Sequence, residues 1–218
     1  MPTRIAIADD HPVSRDGLIG YLERTSDLRV VLRAYHGREL LEQLEHTPVE
    51  LAFVDVRMPI MDGYQTLTAL REQHPALPAL IYTFELTDEV ILRSMRLGAR
   101  GCLDKALEPP IFPQAVQHVL QSGYYITPRV QACQQANPDG RTAEEREREA
   151  VLAAISEREL EVLQRTLAPD EPTMQAVGDD MGISDRTVES HLRNVARKAG
   201  VKSRTGLVLW AARMGLVK

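Results

Sequence analysis

The first half of the chain alternates short apolar runs with segments in which apolar residues recur every three or four positions. The runs predict buried strands and the segments between them predict amphipathic helices. The predicted strands are 4–8, 30–35, 51–54, 79–82 and 101–103, and the predicted helices are 13–25, 37–46, 63–73, 88–97 and 110–121. Five strand–helix units in succession indicate a doubly wound parallel sheet with helices on both faces and right-handed crossovers.

The pattern changes after residue 122. Turn-forming residues dominate SGYYITP and NPDG, and the charged stretch TAEEREREAVLAA predicts a helix that leads into the next unit. We therefore divide the chain into a domain at 1–122, a linker at 123–151 and a second domain at 152–218.

The second domain has only helical periodicity. Ser156 and Glu159 fit a capping box at the start of its first helix. APDEP at 168–172 predicts the end of that helix, and further helices are predicted at 173–181, 185–199 and 204–214. Two short helices joined by a turn at Gly182 match a helix-turn-helix.

Composition narrows the class of protein. The 218 residues carry a net charge of −5 and include two cysteines, which lack the spacing of a metal site. No apolar run reaches the length of a membrane span, and the N-terminus has no signal-peptide pattern, so we expect a cytoplasmic protein with no membrane partner. Within this acidic chain, residues 185–204 hold six Lys/Arg and two Asp/Glu, a local pattern typical of nucleic-acid binding.

Polar residues follow the predicted strands at one edge of the sheet. Asp9 and Asp10 follow the first strand, Asp55 the third, Thr83 the fourth and Lys105 the fifth. The ends of parallel strands gather at one edge, where ligands bind. Three clustered carboxylates require a cation, and their oxygens suit Mg²⁺. A carboxylate can also accept a phosphoryl group, whose oxygens a lysine and a hydroxyl would then bind. We therefore interpret Asp55 as a phosphate acceptor.

The first domain resembles the receiver domain of bacterial response regulators over residues 3–122. The matching stretches are ADDHP at 8–12, DVRMPIMDG at 55–63, the threonine at 83 and GARGCLDK at 98–105. The resemblance implies a flavodoxin-like fold and transfer of a phosphoryl group from a sensor histidine kinase to Asp55. It also implies that Asp10, Asp55 and the backbone carbonyl of Arg57 bind Mg²⁺, with Asp9 in support.

Two positions depart from the receiver pattern. Receivers usually carry an aromatic residue where Cys102 stands, and a small residue where Phe84 follows the switch residue Thr83. A regulator that binds DNA independently of phosphorylation, with a vestigial receiver, is therefore an alternative. A phosphatase or phosphotransferase is a second one, although such enzymes commonly have a carboxylate where Arg57 stands, so we expect no enzyme activity.

The segment 185–199 has the character of a DNA-reading helix. Val188, Leu192 and Val195 form one apolar stripe, and arginines lie on the opposite side. Arginine binds guanine edges and phosphates in a bidentate manner, and a helix of this kind fits the major groove. The candidate contacts to double-stranded DNA are Arg186, Thr187, Glu189, Ser190, Arg193, Asn194, Arg197 and Lys202.

This second domain resembles the LuxR-type helix-turn-helix of the NarL/FixJ class. The matching stretches are SERELEVL, GISDRTVESHL, KAGV and SRTGLVLWAARMGLV. The resemblance implies DNA binding, and we expect a homodimer in the active state. The family usually has a basic residue where Glu189 stands and an Asn-Lys-Glu-Ile-Ala-like segment where this chain has MQAVG at 174–178. The last helix is a possible dimer surface, and simple core packing explains its apolar residues equally well.

Overall fold

The computed structural model describes residues 2–106, 109–168 and 172–216. The chain divides into two compact units, Met1–Thr142 and Ala143–Lys218. The helix end predicted at 168–172 falls largely on residues 169–171, which lie outside the described residues.

The first unit contains a five-stranded parallel sheet. Its strands are β1 (Thr3–Ala8), β2 (Leu28–Ala34), β3 (Leu51–Val54), β4 (Ala79–Thr83) and β5 (Gly101–Asp104), in the order β2-β1-β3-β4-β5. The predicted doubly wound fold is confirmed. The strand order reverses between β1 and β3, and this reversal opens a cleft at the strands' carboxyl ends. Ala8 pairs with Val54, so the residues that follow them, Asp9 and Asp55, emerge side by side.

Helices cover both faces of the sheet. One face carries α1 (Pro12–Thr25) and α5 (Ile111–Ser122), and the other carries α2 (Gly37–Leu44), α3 (Gly63–Gln73), α4 (Asp88–Arg96) and α6 (Pro128–Ala136). Phe53 points to the α1 and α5 side, whereas Val54 packs with the other four helices. Strands buried on both faces are apolar at successive positions, which explains the runs in the sequence.

The helix α6 was not predicted, because residues 123–151 were interpreted as a linker. Thr127 caps this helix, Pro128 lies in its first turn, and Val130 and Cys133 are buried in the core beside α4. Only two buried residues in an otherwise polar segment produce too weak a periodicity to detect. The contacts with α4 supply the stability that the local sequence lacks.

The second unit is helical, as predicted. It comprises α7 (Ala143–Ala154), α8 (Glu157–Thr166), α9 (Met174–Met181), α10 (Asp185–Lys198) and α11 (Arg204–Arg213). The predicted capping box of Ser156 and Glu159 is present at the start of α8. Gly182 adopts a φ of 65° at the end of α9, a conformation that glycine adopts without strain, and Ser184 caps α10. The core of this unit gathers Leu163, Val188, Val195 and Trp210.

Candidate phosphoacceptor site and nucleic-acid interface

The acidic residues that follow β1 and β3 meet a lysine at the edge of the sheet. Asp9 is fully buried, Asp55 is 2% exposed, and the Lys105 side chain is 1% exposed. The Lys105 Nζ lies 2.6 Å from Asp55 Oδ2 and 2.8 Å from Asp9 Oδ2. The three side chains predicted to act together are thus in direct contact. Lys105 supplies the positive charge that a buried carboxylate pair requires.

The loop after β3 fixes Asp55 in place. The backbone N–H of Val56 donates a hydrogen bond to Asp55 Oδ1 at 2.6 Å. The loop then turns back, and a Cβ placed on Gly63 would lie 2.3 Å from the Asp55 carbonyl oxygen. Only glycine fits there without displacing the acceptor. Asp62 caps α3 through a capping box with Gln65, so the helix begins directly beside the site.

The two predicted switch residues, Thr83 and Cys102, lie in different surroundings. Thr83 is the last residue of β4, is 3% exposed, and accepts a hydrogen bond at its carbonyl from the Lys105 backbone N–H at 2.9 Å. Cys102 lies in the core of β5 opposite Ile81 and has no exposed surface. Burial, with a smaller contribution from the nearby Cys133, raises the pKa of the Cys102 thiol to about 12. The thiol therefore remains protonated near neutral pH.

Two residues at the site were missed in the sequence. The His11 Nδ1 lies 2.9 Å from Asp10 Oδ1, 3.5 Å from Asp9 Oδ1 and 3.8 Å from Asp55 Oδ2. The buried Arg15 donates a hydrogen bond to the Asp9 carbonyl at 3.0 Å. In the sequence, the position of His11 directly after Asp10 could have identified it as a residue of the site. Arg15 gave no signal, because a basic residue in a predicted helix is usually exposed.

The donor set suits a divalent ion. Ligand atoms of Asp9, Asp10, Asp55 and His11 all lie within 4.8 Å of one another. Three carboxylates face a single lysine, so the cluster favours an additional cation, and carboxylate oxygens suit Mg²⁺. The Arg57 side chain points elsewhere and pairs with Glu85 at the surface, which leaves only its backbone carbonyl as a candidate ligand. An open cavity of about 670 Å³ borders Asp10, His11 and Arg57.

The helix α10 buries one side and exposes the other. Val188, Leu192 and Val195 are buried in the core of the second unit. Of the candidate DNA contacts, Thr187 and Asn194 are half-buried, and the others are exposed: Arg186, Glu189, Ser190, Arg193, Arg197 and Lys202. In the structure the Arg193 guanidinium is 2.9 Å from Glu189 Oε1. The acid on this face therefore neutralises one of its arginines.

A buried ion pair holds the end of α10 against the start of α8. The Lys198 Nζ lies 2.5 Å from Glu159 Oε2, and Glu159 is 5% exposed. The hydrogen bond from Lys198 lowers the pKa of Glu159 to about 2, and bonds from Ser156 act in the same direction.

In α11, Leu207 and Trp210 are buried in the core, whereas Val208 is 39% exposed and Leu209 is 67% exposed. Among the described residues, no helix is long and apolar enough to cross a bilayer.

Comparison with known proteins assigns families to both units. Residues 5–117 match the response regulator receiver domain, and residues 153–211 match the bacterial regulatory proteins of the luxR family. The transcriptional activator protein ExaE of Pseudomonas putida is 30% identical over 217 residues, which cover 98% of each chain. The nitrate/nitrite response regulator protein NarL of Escherichia coli is 28% identical over 214 residues, 96% of this chain and 94% of NarL.

Solved structures share the architecture. The response regulator ChrA of a heme-sensing two-component system aligns with a TM-score of 0.53 at 27% identity, covering 99% of this chain and 100% of ChrA. A structure of two RcsB dimers bound to two parallel DNAs aligns with a TM-score of 0.58 at 20% identity, covering 97% of this chain and 98% of RcsB. The likeness to RcsB shows the fold alone.

Proposed function

Because this chain belongs to the two-component response regulators that join a receiver domain to a LuxR-type DNA-binding domain, we propose that phosphorylation of Asp55 controls its binding to DNA. The phosphoryl donor is the phosphohistidine of a sensor kinase, and the reaction requires Mg²⁺. The observation that carries the proposal is the contact of Lys105 Nζ with both Asp55 and Asp9, all three buried at the carboxyl edge of the sheet.

The chemistry follows from the positions of these side chains. An Asp55 oxygen attacks the phosphorus and forms a P–O bond while the P–N bond to the donor imidazole breaks and that nitrogen takes the electron pair. The Lys105 ammonium lies 2.6 Å from the same carboxylate, so it can neutralise a phosphoryl oxygen there. The Thr83 hydroxyl, at the end of the neighbouring strand, would donate to another phosphoryl oxygen.

The acidic cluster is the proposed Mg²⁺ site. Asp10, Asp55 and the Arg57 carbonyl would hold the ion, which supplies positive charge to the phosphoryl oxygens during transfer. Asp9 is already bound by Lys105 and by the His11 backbone N–H at 2.9 Å, so its role is to position Lys105 and support the site.

The site lacks a carboxylate that phosphatases with an aspartyl-phosphate intermediate commonly need. A phosphatase that uses an aspartyl phosphate commonly needs a second carboxylate two residues after the nucleophile, and Arg57 stands there with its side chain paired to Glu85. The exposed basic face of α10 instead supports double-stranded DNA as the partner. A homodimer of the active form is part of the proposal, since paired half-sites match a two-fold protein.

Asp55→Asn tests the proposal. The wild-type protein, incubated with Mg²⁺ and acetyl phosphate, should gain one phosphoryl group by mass spectrometry and bind double-stranded DNA more tightly, whereas Asp55→Asn should gain none. Asp16→Asn is the matched control, because Asp16 is an exposed acid on α1 with a side chain 62% exposed. Phosphorylation of Asp55→Asn would contradict the assignment of the acceptor. Phosphorylation of the wild type without a change in DNA binding would favour the phosphorylation-independent alternative.

A further inference from the structure

The imidazole of His11 lies among the carboxylates of the proposed metal site. Its Nδ1 is 2.9 Å from Asp10 Oδ1 and 3.8 Å from Asp55 Oδ2, and the side chain is 55% exposed. The Phe84 ring meets the His11 ring edge-on, with centroids 6.1 Å apart. The imidazole is thus packed on one side by an aromatic ring and faces the acidic cluster with a nitrogen.

The spacing fits a shared ion. Ligands on adjacent corners of an octahedral site with bonds of 2.0–2.1 Å lie about 3 Å apart. The distance from His11 Nδ1 to Asp10 Oδ1 meets this value, and the distance to Asp55 Oδ2 exceeds it by less than 1 Å. Lys105 binds Asp9 Oδ2 and Asp55 Oδ2, whereas the His11 nitrogen lies nearest to Asp10 Oδ1, so a cation held beside Asp10 would be within reach of the imidazole.

We propose that His11 is a nitrogen ligand of the divalent ion held by Asp10 and Asp55, and that it extends the site to ions that favour imidazole. The inference rests on the proposed function, since it takes the acidic cluster to be a cation site. Mg²⁺ favours oxygen and keeps its waters, whereas Ni²⁺ and Co²⁺ gain from an imidazole. His11 should therefore contribute little to Mg²⁺ affinity and much to Ni²⁺ affinity.

Removal of the imidazole should leave the fold unchanged. His11 precedes α1 as its N-cap residue, and its side chain makes no capping hydrogen bond. Its backbone N–H, which donates to Asp9, survives substitution by alanine. His46→Ala is the matched control, since His46 is exposed and follows α2.

The test is calorimetric titration of full-length wild type, His11→Ala and His46→Ala with MgCl₂ and with NiCl₂ in a non-chelating, mildly alkaline buffer. Loss of even a residue that only orients a ligand weakens metal affinity roughly 10–100-fold. We therefore expect His11→Ala to weaken Ni²⁺ binding roughly tenfold or more and Mg²⁺ binding only slightly, and His46→Ala to change neither. The visible spectrum of bound Co²⁺ should also change in His11→Ala, because water replaces a nitrogen ligand.

Other outcomes separate the possible errors. Equal losses for both ions would overturn the proposed preference for ions that favour imidazole, and unchanged Ni²⁺ affinity would overturn the assignment of His11 as a ligand. Tighter binding of both ions by His11→Ala would overturn it as well and would show that the imidazole competes with the cation. If the wild type binds neither ion, the Mg²⁺ part of the proposed function falls together with this inference. Wild-type Mg²⁺ binding with an unaffected Ni²⁺ affinity would remove the inference alone.

Discussion

The ion pair between Glu159 and Lys198 should dominate the electrostatic stability of the second unit. Glu159 is 5% exposed and its pKa falls from 4.5 to about 2, chiefly through the hydrogen bond from Lys198. Such a fall corresponds to roughly 3 kcal/mol of stability. Because the Lys198 side chain is 26% exposed, solvent screening reduces the expected effect of Glu159→Gln to about 1–2 kcal/mol at neutral pH.

The pH dependence has a definite sign. A carboxylate whose pKa is lower in the folded state than in the unfolded state stabilises the fold at pH values above the unfolded pKa. That contribution is lost as the pH falls from about 4.5 towards 2, because the folded protein then binds the proton as well. The stability difference between wild type and Glu159→Gln should therefore be complete at pH 7 and decline through this window.

The chain contains one tryptophan, which makes the measurement specific. Trp210 is 5% exposed in the core of the second unit, so its fluorescence in urea reports the unfolding of that unit within the full-length protein. Glu161→Gln is the control, because the Glu161 side chain is 41% exposed and its ion pairs should contribute less than about 0.5 kcal/mol. Equal stabilities of wild type and Glu159→Gln at pH 7, or a difference that persists at pH 2, would refute the reasoning.

Further predictions concern the acceptor loop and the DNA-binding face. Gly63→Ala should destabilise the protein by about 2 kcal/mol, because the added Cβ would clash with the Asp55 carbonyl. Gly17→Ala has open space around it and should stabilise α1 by about 0.5 kcal/mol. Thermal unfolding measures both changes in stability. Arg193→Ala should cost roughly 1–3 kcal/mol of affinity and relax the preference at one base, and Arg197→Ala should weaken all sequences evenly and reduce the salt slope by about one. Binding to specific and scrambled DNA across salt distinguishes these roles, and unchanged affinity in both variants would contradict a DNA-reading role for α10.

The fold and most of the acidic cluster could be predicted because each depends on local pattern. Strands buried on both faces leave unbroken apolar runs, and Asp9, Asp55, Thr83 and Lys105 each stand at or directly after the end of a strand. Because ligands bind at the carboxyl edge of a parallel sheet, the proximity of these side chains could be predicted without any measured distance. Lys105 does contact both Asp9 and Asp55.

The features that were missed depend on contacts between distant residues. Glu159 and Lys198 lie 39 positions apart, so the capping box could be predicted but not the lysine that binds the same carboxylate. Gly63 is required because a side chain there would clash with the backbone of Asp55, and the pattern of side chains in the sequence gives no information on such a backbone contact. His11 was overlooked because a histidine beside two acids is informative only once the direction of its ring is known.

The unpredicted helix α6 changes the interpretation of position 102. Val130 and Cys133 from α6 share one apolar cluster with Cys102, and Arg129 pairs with Asp88 in the first turn of α4 at 2.6 Å. Cys102 is therefore packed in the same apolar cluster as the buried face of α6. The first unit continues past α6 through residues 137–142, and Gly140 in that segment accepts a hydrogen bond from Arg96 in α4. Part of the segment that was interpreted as a linker from its composition therefore packs against α4, the helix that follows Thr83 in the chain.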